Sequence, residues 1–181
     1  MLVALFAAIM VVLGLLPPIT LGFIPVPITA QSLGVMLAGC ILGSRRGAAA
    51  MLLLLLLVAI GLPVLSGGRG GLAVFAGPTA GYIVGWVFGA FVCGFIAERF
   101  VKEDQPELVQ LLTFLIASFI GGVAVVYLFG IPWLAYMGGK AFFEVAGAAL
   151  IFVPGELITV FVAMLAGRAV LAGYPLLPQR A

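Results

Sequence analysis

Residues 48–62 read AAAMLLLLLLVAIGL, fifteen residues without one charged or hydrogen-bonding side chain. Nothing in that run alternates or offers a polar face, so an amphipathic helix on a water-soluble core is excluded. Such a run suits a helix covered by lipid or protein on all sides. The same character extends outward in both directions. The chain of 181 residues is 65% hydrophobic and 8% charged, with a mean hydropathy of +1.39. Soluble domains carry roughly 25% charged residues. Too few charges are present here to build a water-facing surface, which predicts an all-α polytopic membrane protein in the cell membrane. Six spans of ~20 residues would use two thirds of its length.

The breakpoints place those spans. Pro17-Pro18 ends a first helix over residues 1–16, because proline lacks an amide donor and clashes with the preceding turn. That segment lacks the basic start and the cleavage site of a signal peptide and reads as a short span. Gly22, Pro25 and Pro27 mark a loop, with Pro27 suited to the first turn of a second helix running to 43. Ser44, Arg45, Arg46 and Gly47 form a charged turn before the span at 48–62. A fourth span covers 79–97. Glu98, Arg99, Lys102, Glu103, Asp104 and Glu107 follow as a mixed-charge connection, then a fifth span at 108–129. Residues 130–153, interrupted by Pro132 and Gly138-Gly139, are expected to be a long loop with a short helix near 140–152. Pro154 opens a sixth span at 154–171. The competing reading of this last part is one continuous, kinked helix over 141–166. All 181 residues are expected to form a single integral membrane domain.

Six spans put both termini on one side. With that side cytoplasmic, Arg45, Arg46, Arg99, Lys102, Arg168 and Arg180 face inward and only Arg69 and Lys140 face outward, which satisfies the positive-inside rule. The outer side then collects the segment at 63–78, with five glycines and two prolines around Arg69, and the start of the last helix. Glycine permits positive φ and close backbone approach to a ligand, and a loop of this length is seldom mere connection.

Charges within spans are costly and face a protein interior or a cavity. Glu156, in the first turn of the last helix, is either a dipole-stabilised carboxylate or a ligand acceptor. Arg69 is either an exposed loop cation or an anion partner. Lys140 and Glu144 have the i,i+4 spacing of an ordinary helix pair. Gln31 and Thr79 either bond a backbone carbonyl or face a ligand. Phe75, Tyr82, Trp86, Trp133 and Tyr136 gather on the same side. They fit an interfacial belt or the walls of a mainly apolar small-molecule site. Gly77, Gly81, Gly85 and Gly89 recur every fourth residue, as helices in close contact require; Ala4 and Ala8 form a weaker stripe suited to a partner.

Several functions are excluded or left without support. Histidine is absent, and no GxxxxGK[ST], GxSxG or HExxH pattern occurs, so neither a Walker ATPase nor a hydrolase is expected, nor any metal or cofactor. Cys40 and Cys93 are not a CxxC pair and read as small core residues. The net charge of +2, without a basic run, argues against nucleic acid. A solute-binding protein whose energy comes from elsewhere and an autonomous secondary transporter both remain; the latter commonly shows internal repeats, and none is evident.

Four segments carry a family resemblance across nearly the whole chain: Val26-Pro27-Ile28-Thr29-Ala30-Gln31-Ser32-Leu33-Gly34-Val35, Gly61-Leu62-Pro63-Val64, Gly67-Gly68-Arg69-Gly70-Gly71 and Gly77-Pro78-Thr79-Ala80-Gly81-Tyr82. In this order they resemble the BioY family, the biotin-binding S components of energy-coupling factor (ECF) vitamin transporters. The resemblance implies six helices, a biotin site near the outer face, and import driven by a transmembrane coupling subunit with two ATPase subunits. It also implies docking of the coupling subunit on small residues of the first helix, here Ala4 and Ala8. Glu156 is the acceptor it implies for the ureido ring, Gln31 or Thr79 the donor, and Arg69 or Lys140 the cation for the carboxylate. Tyr82 and Trp86 would be the walls. The chain departs from the family where Pro-Gly-Asp is often followed three residues later by Lys. It has Glu156 in place of the aspartate and Thr159 in place of the lysine; Ala80 replaces a usual glycine.

Overall fold

The computed structural model describes residues 1–18, 29–173 and 176–177. The expectations for Gly22, Pro25, Pro27 and Arg180 lie outside these residues. Six helices account for most of the described chain: α1 (Leu2–Leu15), α2 (Gln31–Leu42), α3 (Ser44–Ala59), α4 (Ala80–Phe100), α5 (Glu107–Gly138) and α6 (Phe142–Gly173). The last three are long and apolar enough to cross a membrane. Phe88, Phe91, Phe95, Leu128, Phe143, Ile158 and Phe161 all face outward. An exterior this apolar is stable in lipid and not in water.

At the centre lies α4, packed against α2, α3 and α5. The fourfold glycine spacing seats α5: a Cβ on Gly85 would meet the Val126 backbone at 3.1 Å, and one on Gly89 the Gly121 carbonyl at 2.7 Å. Dispersion and backbone proximity hold helices together where no water is expelled between them. Gly39 does the same on α2, leaving Cys40 and Cys93 buried with their sulfurs 3.3 Å apart.

The turn expected at residues 44–47 is instead the first turn of α3, which meets α2 at the single residue Gly43. Arg45 and Arg46 there oppose the helix dipole. Glu98, which the sequence assigned to a polar connection, is buried near the end of α4. Its carboxylate accepts from the Ser44 amide at 2.8 Å and the Ser44 hydroxyl at 2.9 Å. It therefore caps α3 from another helix.

Residues 130–153 are not a loop. α5 continues through Pro132 and ends at Gly139, whose φ of 60° is the left-handed conformation glycine adopts cheaply. The Gly139 amide bonds the Tyr136 carbonyl and the Lys140 amide that of Ala135, a Schellman close. Glycine thus ends the helix nine residues beyond the expected Phe129. Pro154 stands in the first turn of a regular α-helical stretch, Val153–Gly173, as expected, but helix already precedes it. α6 starts at Phe142 and runs through it with a tighter 3-10 turn at Leu150–Phe152, and Val153 keeps helical dihedrals. Tightening the turn before the ring turns aside the carbonyl that proline would otherwise strike. The kinked-helix reading describes this segment.

Candidate functional site

A cavity of about 640 Å³, counting the space at its mouth, lies between the start of α2, the segment after α3, the start of α4, the middle of α5 and the kink of α6. Six of the residues singled out from sequence line it: Gln31, Arg69, Thr79, Tyr82, Trp86 and Glu156.

Arg69 reaches the cavity because its backbone is folded back on itself. Leu65 and Arg69 exchange both backbone hydrogen bonds, at 3.0 and 3.2 Å, across a hairpin tip formed by Ser66, Gly67 and Gly68. Gly67 and Gly68 have φ of 79° and 69°, which side chains with a Cβ seldom adopt. The guanidinium is aimed by two more bonds, Nε to the Ser66 carbonyl at 3.1 Å and Nη1 to Thr79 Oγ1 at 3.2 Å. Burial lowers its pKa from the ordinary value, yet arginine remains a cation.

Gln31 supports this loop. Its amide donates to the Met10 carbonyl at 3.1 Å and the Val64 carbonyl at 3.2 Å, and its oxygen accepts the Ser66 amide at 3.0 Å. Both amide hydrogens are committed, so the side chain ties α1, α2 and the hairpin together and has no donor left for a ligand. Thr79 Oγ1 accepts from Arg69 and keeps its own O–H as a donor. Gln31→Leu is expected to cost about 2 kcal/mol, the penalty of orphaned buried backbone groups. Thermal unfolding in detergent without ligand measures it, and an unchanged midpoint would refute the role.

Glu156 lies one turn beyond the 3-10 segment. Thr159 Oγ1 donates toward its backbone carbonyl at 2.8 Å and its carboxylate Oε2 at 3.1 Å. Thr159 is outside the cavity lining and acts on Glu156. Lys140 is also outside it: its ammonium pairs with Glu144 at 3.0 Å, with both side chains 58% exposed. Among the lining residues Arg69 is the one cation. Trp133 donates to the Gly77 carbonyl at 2.9 Å and fastens the loop to α5, while Tyr136 faces outward. Ala4 and Ala8 lie on the exposed side of α1, opposite the buried stripe of Phe6, Ala7, Met10 and Gly14.

The sequence reading missed Tyr127, Phe152 and Ser32, all of which line the cavity. Tyr127 follows a π-helical stretch, Ser118–Val125, that interrupts α5. Such bulges rotate the residues beyond them relative to a regular helix, so helical spacing counted from either end misplaces Tyr127. Its ring meets that of Tyr82 edge-on, with centroids 5.9 Å apart. Ser32 stood inside a quoted motif without being singled out; it lies beside the Glu156 carboxylate.

Residues 1–176 match the family model described as the BioY family. The chain is 64% identical over 180 residues to the biotin transporter BioY of Rhizobium etli, covering 99% of this chain and 96% of that one. Against the biotin transporter BioY of Rhodobacter capsulatus it is 48% identical over 178 residues, covering 93% and 90%. Its fold superposes on a crystal structure of the S-component for biotin from an ECF-type ABC transporter with a TM-score of 0.88. That likeness has 34% identity and covers 94% of this chain and 89% of the other. The chain belongs to the BioY family.

Proposed function

We propose that this protein is the substrate-capture subunit of a biotin importer, taking the vitamin into the cavity between α2, α4, α5 and α6. The observation that carries the reading is one cavity lined by a single cation, a carboxylate and aromatic walls, in a chain 64% identical to a biotin transporter. Biotin has a carboxylate, an apolar chain and fused rings, and two ring N–H groups. Arg69, held at two of its nitrogens, presents its remaining N–H groups to the ligand carboxylate. Glu156, steadied by Thr159, accepts from the ring N–H groups. Tyr82, Trp86, Ile83, Val126 and Phe152 supply the apolar wall.

Capture is all that this inventory provides. Energy for import comes from a transmembrane coupling subunit and its two ATPase subunits, and the coupling subunit docks on the face of α1 that carries Ala4 and Ala8. Small side chains there admit close helix approach, and the face is exposed. With both termini cytoplasmic, the cavity opens outward. The test is calorimetric titration of the purified subunit in detergent with biotin, desthiobiotin and an unrelated vitamin. Saturable biotin binding without any ATPase present is expected. Absence of biotin binding would leave the family with a different ligand in this chain.

A further inference from the structure

Two polar atoms on residues that line the cavity have no role in what precedes. The phenol oxygens of Tyr82 and Tyr127 are buried and, among the described residues, have no hydrogen-bond partner. Tyr82 itself is 8% exposed. A buried hydroxyl without a partner is destabilising, and phenylalanine would supply the same wall without that cost. Two of the cavity's other donors are committed: the Gln31 amide to the Met10 and Val64 carbonyls, and the Ser32 hydroxyl to the Thr29 carbonyl at 3.2 Å. Glu156, when ionised, only accepts. The phenols are therefore uncommitted neutral donors on residues that line the same cavity as that acceptor.

We infer that Tyr127, backed by the edge of Tyr82, donates a hydrogen bond to the ring carbonyl of the ligand beside the N–H groups that Glu156 accepts. This rests on the biotin reading of the same cavity and deepens it. A neutral donor and an acceptor in one apolar cavity suit a cyclic urea or lactam. A plain carboxylic acid or amine offers only half of that pattern. Tyr82 holds its position through Gly130, where any Cβ would run into the Tyr82 ring.

The test titrates wild type, Tyr127→Phe and Tyr82→Phe with biotin and with its thiocarbonyl analogue, whose sulfur is a weak acceptor. Tyr127→Phe is expected to weaken biotin about tenfold, the worth of one buried hydrogen bond. It should change the analogue's affinity by less than about threefold, with the ligand-free unfolding midpoint unmoved or raised. Unchanged biotin affinity, or an equal loss for both ligands, overturns the inference and leaves the ring as a wall. A wild-type protein that binds neither ligand overturns the biotin reading itself, and the inference with it.

Discussion

Glu156→Ala is expected to weaken biotin binding by about 100-fold or more, and Arg69→Ala by about tenfold to 100-fold. Hydrogen bonds to a charged group contribute ~1.5–3 kcal/mol, and each 1.4 kcal/mol is a factor of ten. Two ring N–H groups lose their acceptor in the first variant, and they are left unpaired in a cavity walled by aromatic rings. In the second, the ligand carboxylate loses its one cation. The ligand-free protein should behave differently. A carboxylate in an apolar bundle is a burden, so Glu156→Ala should leave the unfolding midpoint in detergent unchanged or raise it, as when a functional strain is removed. Thr159→Val, which releases the carboxylate from its 3.1 Å contact, should cost about tenfold in affinity through lost positioning. Lys140→Ala should cost nothing, because that ammonium pairs with Glu144 outside the cavity. If Glu156→Ala and Arg69→Ala both bind as wild type does, the roles assigned to them are wrong.

The helical, membrane-embedded class followed from composition alone, because lipid accepts only backbones that satisfy themselves internally. Helix ends were less legible. Pro132 was given the force it has in water, and Pro154 was taken to open a span with no helix running into it. In a bundle, neighbouring helices and local 3-10 or π adjustments absorb a proline, so α5 runs on to Gly138 and α6 begins at Phe142. Glu98 was misplaced for a related reason. Charge clusters after a span usually mark solvent, but this carboxylate turns back to cap a helix distant in sequence.

Legibility of the site divided along similar lines. Arg69 stood out because glycines flank it, and Glu156 because charges are rare; both reach the cavity. Gln31 also reaches it, yet residue type could not reveal that its amide is consumed by three backbone partners. Lys140 lies only one residue beyond the Gly139 cap, and its exclusion became visible once α5 was seen to extend that far. Tyr127 carried no signal in a run of apolar residues, since its orientation depends on the π-helical stretch. Long-range partners and irregular turns set these outcomes, and neither is periodic in sequence.

Gly94→Ala is expected to be the most destabilising single-methyl addition in the bundle, by about 3 kcal/mol. Its Cβ would strike the Gly43 carbonyl carbon and the Ser44 amide nitrogen. Both are backbone atoms at the junction of two helices, so no side chain can rotate away. Relief requires α4 to withdraw from that corner. One turn further along α4, withdrawal pulls Glu98 from the Ser44 amide and hydroxyl. The damage therefore exceeds overpacking alone, because a buried helix start with two arginines in its first turn loses its counter-charge. Glu98→Gln keeps the shape and an acceptor while removing the charge; about 1 kcal/mol is expected from it. Unfolding midpoints of the two variants, singly and combined, measure the coupling. Because both act at one corner, the double variant should lose less than the sum of the two. Additive losses would mean that Gly94 and Glu98 support the α4 contact independently.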